Sequence, residues 1–328
     1  MSEIVRPNFP ACIDNTMRSA FKSCPQKLFR GFLENWAPAT PSIHLHAGGA
    51  FAHSLEVCRR AFYEAGKSES EARRDGLEAL MRFYGPIVAP PTRTGDKSLE
   101  NVIRAYDSYM ERYKLGVDPI KPLMVNGKAM VEFSFAMPTL VKHPQSGDPI
   151  LYGGRSDMIG VMNDVLWVTD EKTASQLGEQ WASQFDLDSQ FTGYIAGAHT
   201  YGYPVAGALI RGVGLLKTKI THSEVMLNRS SWMIERWWQQ LHRDIKRMVQ
   251  CYKEGYWDFA LDKSSCAAYG GCEFKMLCES PQPEGYLPIY FRQRVWNPLA
   301  KDSGENLLAN PELARSMEAP ELIIPGLT

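Results

Sequence analysis

No uninterrupted apolar run in the 328-residue chain approaches the roughly 20 residues of a membrane-spanning helix. The opening, MSEIVRPNFP, lacks the basic-then-apolar order of a secretory signal, so the chain is expected to be cytoplasmic. Net charge is missing too. Lys and Arg total 36 against 37 Asp and Glu, so whole-molecule charge steers the protein toward neither nucleic acid nor an anionic membrane. Any affinity for polyphosphate must come from a local groove. Seven cysteines, an odd number, argue against a disulfide framework in a cytoplasmic chain of this size. The pattern G-x-x-x-x-G-K-[ST] is absent, which excludes a P-loop motor, and there is no internal repeat. At 44% hydrophobic and 22% charged residues, disorder is excluded as the overall state.

What is present begins with helices. Asp14 is a good N-cap for a helix reaching toward Trp36, with a break at Cys24-Pro25, because proline is disfavoured inside a helix and favoured at its first position. A Pro-rich linker (37–42) leads to helical stretches over 47–65, 69–84 and 98–113, with a loop from Gly85 to Ser98. The period then changes from 3.6 to 2. Val131, Phe133 and Phe135 alternate with Met130, Glu132 and Ser134, and two further strand-like runs (153–162 and 165–173) meet at Asn163-Asp164. A helix over 187–201, a buried strand over 203–216 and a long amphipathic helix over 224–254 follow. This order predicts an α/β fold, with a mixed central sheet flanked by helices and a helical N-terminal elaboration. The expected divisions are a helical segment at 1–45, a helical subdomain at 46–120, a core at 121–255, a cysteine cluster at 256–282 and a C-terminal arm at 283–328.

A two-residue turn at Asn163-Asp164 puts residue 157 opposite residue 170, and both are aspartates. Directly opposed like charges are destabilising, and alternation adds Arg155 and Lys172 to the same face. A divalent cation between the carboxylates explains the pairing best. Gly153 and Gly154, just before the first aspartate, would let a phosphate backbone come close. Farther along, Gln190 and Tyr194 are four apart on one helix face.

These residues resemble the PD-(D/E)XK nucleases, and within them the RecB-like branch. Gly154-Arg155-Ser156-Asp157 is similar to the G-x-x-D strand, Asp170-Glu171-Lys172 to the (D/E)-x-K strand, and Gln190-Phe191-Thr192-Gly193-Tyr194 to the Q-x-x-x-Y helix. His53, four residues after Gly49, resembles the family's G-x-x-x-H helix, whose histidine is a metal ligand. The resemblance implies a restriction-endonuclease-like core in which Asp157, Asp170, His53 and the backbone carbonyl of Glu171 hold Mg2+ or Mn2+. Lys172 would orient the attacking water or stabilise the transition state. Gln190 and Tyr194 would hold the scissile phosphate or the adjacent nucleotide. Arg155 is a further candidate phosphate contact, and Glu132 a further carboxylate near the metal.

The cysteines extend the match. Cys12, Cys58 and Cys251 are scattered, whereas Cys266, Cys272 and Cys278 are separated by five residues each in SSCAAYGGCEFKMLCES. Four thiolates suit either an iron-sulfur cluster or zinc. Zinc sites favour close C-x2-C pairs. One upstream cysteine, Cys24 in KSCPQKLFRGF, plus three trailing ones resembles the AddB-type and CRISPR-associated RecB-like nucleases that carry a 4Fe-4S cluster. Such a cluster would act as a staple tying the N-terminal helix to the C-terminal segment.

The implied activity is metal-dependent hydrolysis of DNA phosphodiesters by a single-strand exonuclease with some endonuclease activity, in recombination, repair or phage DNA processing. The aromatic and basic segment from Tyr290 to Trp296 is a candidate for stacking on unpaired bases. Expected partners are single-stranded DNA, proteins of a recombination or repair complex, and a second copy of the chain; a membrane is not expected. Two alternatives stay open: a catalytically inactive, iron-sulfur-stapled DNA-binding subunit, and a zinc-stabilised interaction protein.

Overall fold

The computed structural model describes residues 7–40, 42–85, 97–267 and 271–298. Most of the loop expected from Gly85 to Ser98, and the arm expected at 283–328 from residue 299 onward, lie outside the described residues. In chain order the elements begin with β1 (Cys12–Ile13), α1 (Asn15–Ser23), α2 (Pro25–Leu28), a π-helical turn (Phe29–Leu33), β2 (Trp36–Pro38), α3 (Ile43–Tyr63), α4 (Glu69–Tyr84) and α5 (Leu99–Arg112). Next come β3 (Lys121–Pro122), β4 (Met124–Val125), β5 (Lys128–Ala129), β6 (Val131–Lys142), β7 (Pro149–Met162) and β8 (Val165–Ala174). They are followed by α6 (Glu179–Ser183), α7 (Ser189–Thr200), β9 (Gly207–Leu215), β10 (Ile220–Leu227) and α8 (Ser231–Glu254). Last are α9 (Lys263–Cys266), α10 (Lys275–Cys278), a 3-10 turn (Pro283–Tyr286), α11 (Leu287–Tyr290) and β11 (Phe291–Gln293).

The described residues of Met1–Pro41, Ala136–Gly154 and Glu235–Ile323 form one compact unit, and those of Ser42–Phe135 and Arg155–Ile234 form another. In the second unit the sheet is mixed: β7 runs antiparallel to β8, β8 parallel to β9, and β9 antiparallel to β10. Helices flank it on both faces. Phe51, Leu55, Leu80, Tyr106 and Tyr109 of α3, α4 and α5 form one core with Val213 and Leu215 of β9. On the other face a side chain at Gly212 would lie 2.5 Å from the Trp181 ring of α6. The α7 helix approaches β6 as closely: a Cβ at Gly197 would sit 2.5 Å from Phe135 Cγ, so only glycine fits there.

In the first unit β1 lies parallel to the start of β7, with Cys12 opposite Leu151. Arg18 of α1 and Asp244 of α8 form a buried ion pair at 2.7 Å. The break in the first helix falls where the proline requires it: α1 stops at Ser23, Cys24 is extended, and Pro25 opens α2. A smaller core of Phe274, Leu277, Leu287 and Phe291 lies beside the β2–β11 pair.

One expectation about the elements changes, and three short strands were not foreseen. Residues 224–227, read as the start of the long helix, belong to β10, and the helix starts at Ser231. Strand β9 is buried along its whole length, and its backbone groups need a partner, which β10 supplies from Ile220↔Leu215 to Leu227↔Ala208. Strands β1, β2 and β11, of two or three residues each, are too short to show a period. Among the described residues no helix is long and apolar enough to cross a membrane.

Candidate active site

The site is built on the β7–β8 hairpin. Asn163 and Asp164 both have positive φ, 51° and 61°, as a two-residue type I′ turn requires. Pairing runs from Met162↔Val165 to Met158↔Thr169, and one further step in this register sets Asp157 against Asp170. Asp170 is buried, at 3% exposure, whereas Asp157 is partly exposed. The Glu171 N–H donates to Asp157 Oδ2 at 2.7 Å, so this carboxylate takes a backbone donor of the neighbouring strand.

Burial raises the Asp157 carboxyl well above the usual carboxylate range, and Asp170, Glu171 and Glu132 push it further, against a smaller pull from Lys172. Burial raises Asp170 as well, opposed by Lys172. Lys172 Nζ lies 2.5 Å from Asp170 Oδ1 as an ion pair. Burial disfavours the Lys172 ammonium, but Asp170 and Asp157 together hold its pKa above the ordinary lysine value. Two carboxylates therefore share one lysine, an arrangement whose remaining charge is met either by a proton or by a metal cation.

Alternation sends the intervening Glu171 to the opposite face. Its Oε2 accepts from Arg59 Nη1 at 3.2 Å, its Oε1 pairs with Arg59 Nη2, and Tyr109 Oη donates to Oε1 at 2.8 Å. Burial works against this carboxylate, yet Arg59 holds it down at about 2. Behind it Arg211 of β9 grips both carboxylate oxygens of Asp118 at 2.6 and 2.7 Å and reaches Glu224 at 2.9 Å.

Helix α7 covers the Asp157–Asp170 face: Lys172 Nζ sits 5.7 Å from the Phe191 ring centroid. Gln190 Nε2 donates to Tyr194 Oη at 2.7 Å, so the two predicted residues are joined on this helix. Asp188 caps α7 by accepting from the Gln190 N–H at 2.7 Å, and its charge acts on both Asp170 and Lys172.

Other predicted residues have different surroundings. His53 Nδ1 lies 3.5 Å from Glu56 Oε2 and its ring packs against Phe83 at 5.6 Å; no hydrogen bond or ion pair among the described residues joins it to the aspartates. Arg155 Nε forms an ion pair with Glu132 Oε2 at 2.6 Å, and Glu132 has a positive φ of 58° within β6. Gly153 and Gly154 are buried in β7, so the open approach expected for a phosphate is not found there. In the Tyr290–Trp296 segment, Phe291 is buried, and Trp296 donates to Asp14 Oδ2 at 2.9 Å while packing edge-on against Phe32. That leaves Tyr290, 49% exposed and stacked on Tyr286, as its open aromatic face.

The four cysteines share one neighbourhood in the first unit. Ser265 Oγ donates to Ser23 O at 2.8 Å, fastening the residue before Cys266 to the residue before Cys24, and Cys272 N donates to Cys266 O at 3.0 Å. Burial pushes the Cys278 thiol up, and Cys272, Cys24 and Cys266 add to the effect. Among the described residues, however, no group of three or more His, Cys, Asp or Glu is arranged to hold a metal ion. The thiols thus have the chemistry of a four-sulfur ligand set but not a preformed shell. The aspartates fit a hard cation better, because Mg2+ is commonly held by one or two carboxylates, with water and substrate phosphate completing the shell.

Sequence reasoning missed Arg59, Tyr109, Arg211 and Asp188. Arg59 carried a signal, a charge on an apolar stripe with Leu55 and Phe62. Asp188 carried another, an N-cap residue just before Gln190.

No protein-family model matches the chain, and no curated protein matches it. Among solved structures, it is similar to a Eubacterium rectale protein described as a candidate exonuclease, at 11% identity and a TM-score of 0.44, over 78% of this chain and 87% of that one. A second, SSO0001, matches at 13% identity and a TM-score of 0.27, over 61% of this chain and 74% of that one.

Proposed function

We propose that the chain is a metal-dependent nuclease of the PD-(D/E)XK, RecB-like kind, which hydrolyses phosphodiester bonds in DNA and acts on single strands as an exonuclease. The observation that carries this reading is the aspartate pair, Asp157 and Asp170, with Lys172 on the same face of one hairpin. Asp157 and Asp170 would hold Mg2+ or Mn2+, with the Glu171 carbonyl and His53 as further candidate ligands. A bound ion of this kind supplies Lewis acidity toward phosphoryl oxygens and a water of lowered pKa.

The remaining chemistry belongs to side chains. Lys172, held protonated by its two aspartates, is a fixed cation and not a base. Its task is to orient the attacking water and hold the charge that develops on phosphate oxygens. Because the Asp157 carboxyl is raised, a cation would compete with its proton, which would make affinity pH-dependent. Gln190 and Tyr194 would hold the scissile phosphate or the next nucleotide from α7. Near-zero net charge suits a confined strand-threading site better than a broad duplex-binding face. Cys24, Cys266, Cys272 and Cys278 would carry a 4Fe-4S staple with no redox task.

The test is labelled single- and double-stranded DNA incubated with Mn2+ or Mg2+. Wild type is expected to degrade single strands from their ends, and Asp170→Ala and Lys172→Ala to lose that activity. Equal cleavage by all three proteins would refute the assignment.

A further inference from the structure

Three consecutive residues of β8 divide between the two faces of the sheet, and the middle one is bonded more tightly than a filler residue needs. Glu171, Arg59, Tyr109 and Arg211 are at most 8% exposed. Arg59 grips both oxygens of the Glu171 carboxylate, and Tyr109 donates to one of them at 2.8 Å and accepts from Arg59 Nη2 at 3.2 Å. Arg211 Nη1 reaches the same tyrosine oxygen at 3.5 Å. A buried ion pair is a poor device for stability alone, since well-packed apolar residues of similar volume often do as well or better. What it gives is a fixed position.

The fixed object is the Glu171 peptide, whose N–H donates to Asp157 Oδ2 at 2.7 Å on the other side of the strand. We propose that Arg59 and Tyr109 are positioning residues: by holding the Glu171 side chain from behind, they aim its N–H at Asp157 and so fix the free oxygen of that carboxylate toward a divalent cation. The inference rests on the reading of Asp157 and Asp170 as cation ligands. Arg59 and Tyr109 touch neither substrate nor reacting atoms, and their effect passes through one peptide group. Outer contacts of this kind change metal affinity about 10- to 100-fold when removed.

The experiment is isothermal titration of the full chain with Mn2+ alone, without DNA, beside a thermal melt in EDTA. Tyr109→Phe removes the three hydrogen bonds of the tyrosine hydroxyl, to Glu171 and from Arg59 and Arg211, and leaves the Arg59–Glu171 ion pair in place. The double variant Arg59→Met with Glu171→Leu replaces the ion pair by apolar groups of similar size. Both are expected to keep a melting temperature within a few degrees of wild type while the Mn2+ dissociation constant rises about tenfold. Tyr109→Phe reads the effect even if the double variant does not fold. Mn2+ binding as tight as wild type in a folded Tyr109→Phe protein overturns the inference and leaves the nuclease reading standing. A wild-type protein that binds no Mn2+ overturns both.

Discussion

A hairpin that sets two carboxylates against one lysine should be less stable than it could be, and Asp157→Asn measures by how much. Directly opposed side chains are about 5 Å apart. Two full charges at that distance repel by about 3 kcal/mol at an effective dielectric near 20. Lys172 offsets part of this at Asp170, and partial protonation of Asp157 relieves more. The asparagine oxygen can still accept the Glu171 N–H, so that bond survives the substitution. A net gain of about 1 kcal/mol in EDTA at pH 8 is therefore expected, a rise of roughly 1–2 °C in melting temperature for a chain of 328 residues. The sign with pH follows from the raised carboxyl. Its proton-linked stability is fully present below the unfolded value of 3.8 and is lost as pH rises through the higher folded value. The advantage of the variant should thus shrink toward zero as pH falls to about 4. Mn2+ should reverse the order, because a ligand at about 100 times its dissociation constant stabilises wild type by about 2.7 kcal/mol and the variant far less. Calorimetric or fluorescence melts with and without Mn2+ read both effects. A variant that is less stable than wild type in EDTA, at every pH, would show that the two carboxylates are not in conflict.

Glu171 should behave in the opposite way. Held at about 2 from an ordinary 4.5, it contributes stability that is complete above 4.5 and lost as pH falls through 2, about 3 kcal/mol over the interval. In urea titrations, the deficit of Glu171→Gln against wild type should therefore narrow below pH 4.5, and a constant deficit would contradict the Arg59 pairing. Gly197→Ala places a methyl group against the Phe135 ring and is expected to destabilise by about 1–3 kcal/mol in the same assay; a neutral outcome would mean that α7 is not seated as closely as described. Protein purified anaerobically is expected to be brown and to contain iron and sulfide, and Cys272→Ser to bleach it. Colourless wild type containing zinc would replace the iron-sulfur proposal with the zinc alternative.

The hairpin was legible because it is local. Asn163-Asp164 names its turn, the alternation of Ile159, Val161, Leu166 and Val168 fixes its register, and register alone brings the aspartates together. Helix α7 was legible for the same reason, through the spacing of Gln190 and Tyr194, although its cap, Asp188, was missed. The network behind the strand was not, since Arg59 and Tyr109 reach Glu171 across 112 and 62 residues, and no period or turn encodes such a meeting. Strand β10 was missed because its sequence alternates weakly and continues into an amphipathic run. Only the need of buried β9 for a backbone partner makes it a strand.

Counting charge on each side of β8 carries the argument for a cation one step further. Behind the strand, Glu171 is matched by Arg59, and Arg211 lies between Asp118 and Glu224. To the side, Glu132 is matched by Arg155. In front, Asp157 and Asp170 share Lys172, with Asp188 of the α7 cap adding to the negative charge, so negative charge is in excess there, and Asp157 is the carboxyl pushed up furthest. Near neutral pH protons are scarce and a millimolar divalent cation is not. A site short of positive charge, beside a lysine held above the ordinary lysine pKa, is one that the proposed divalent cation would suit. The same deficit that weakens the empty hairpin is what would draw the cation, and Asp157→Asn removes both together.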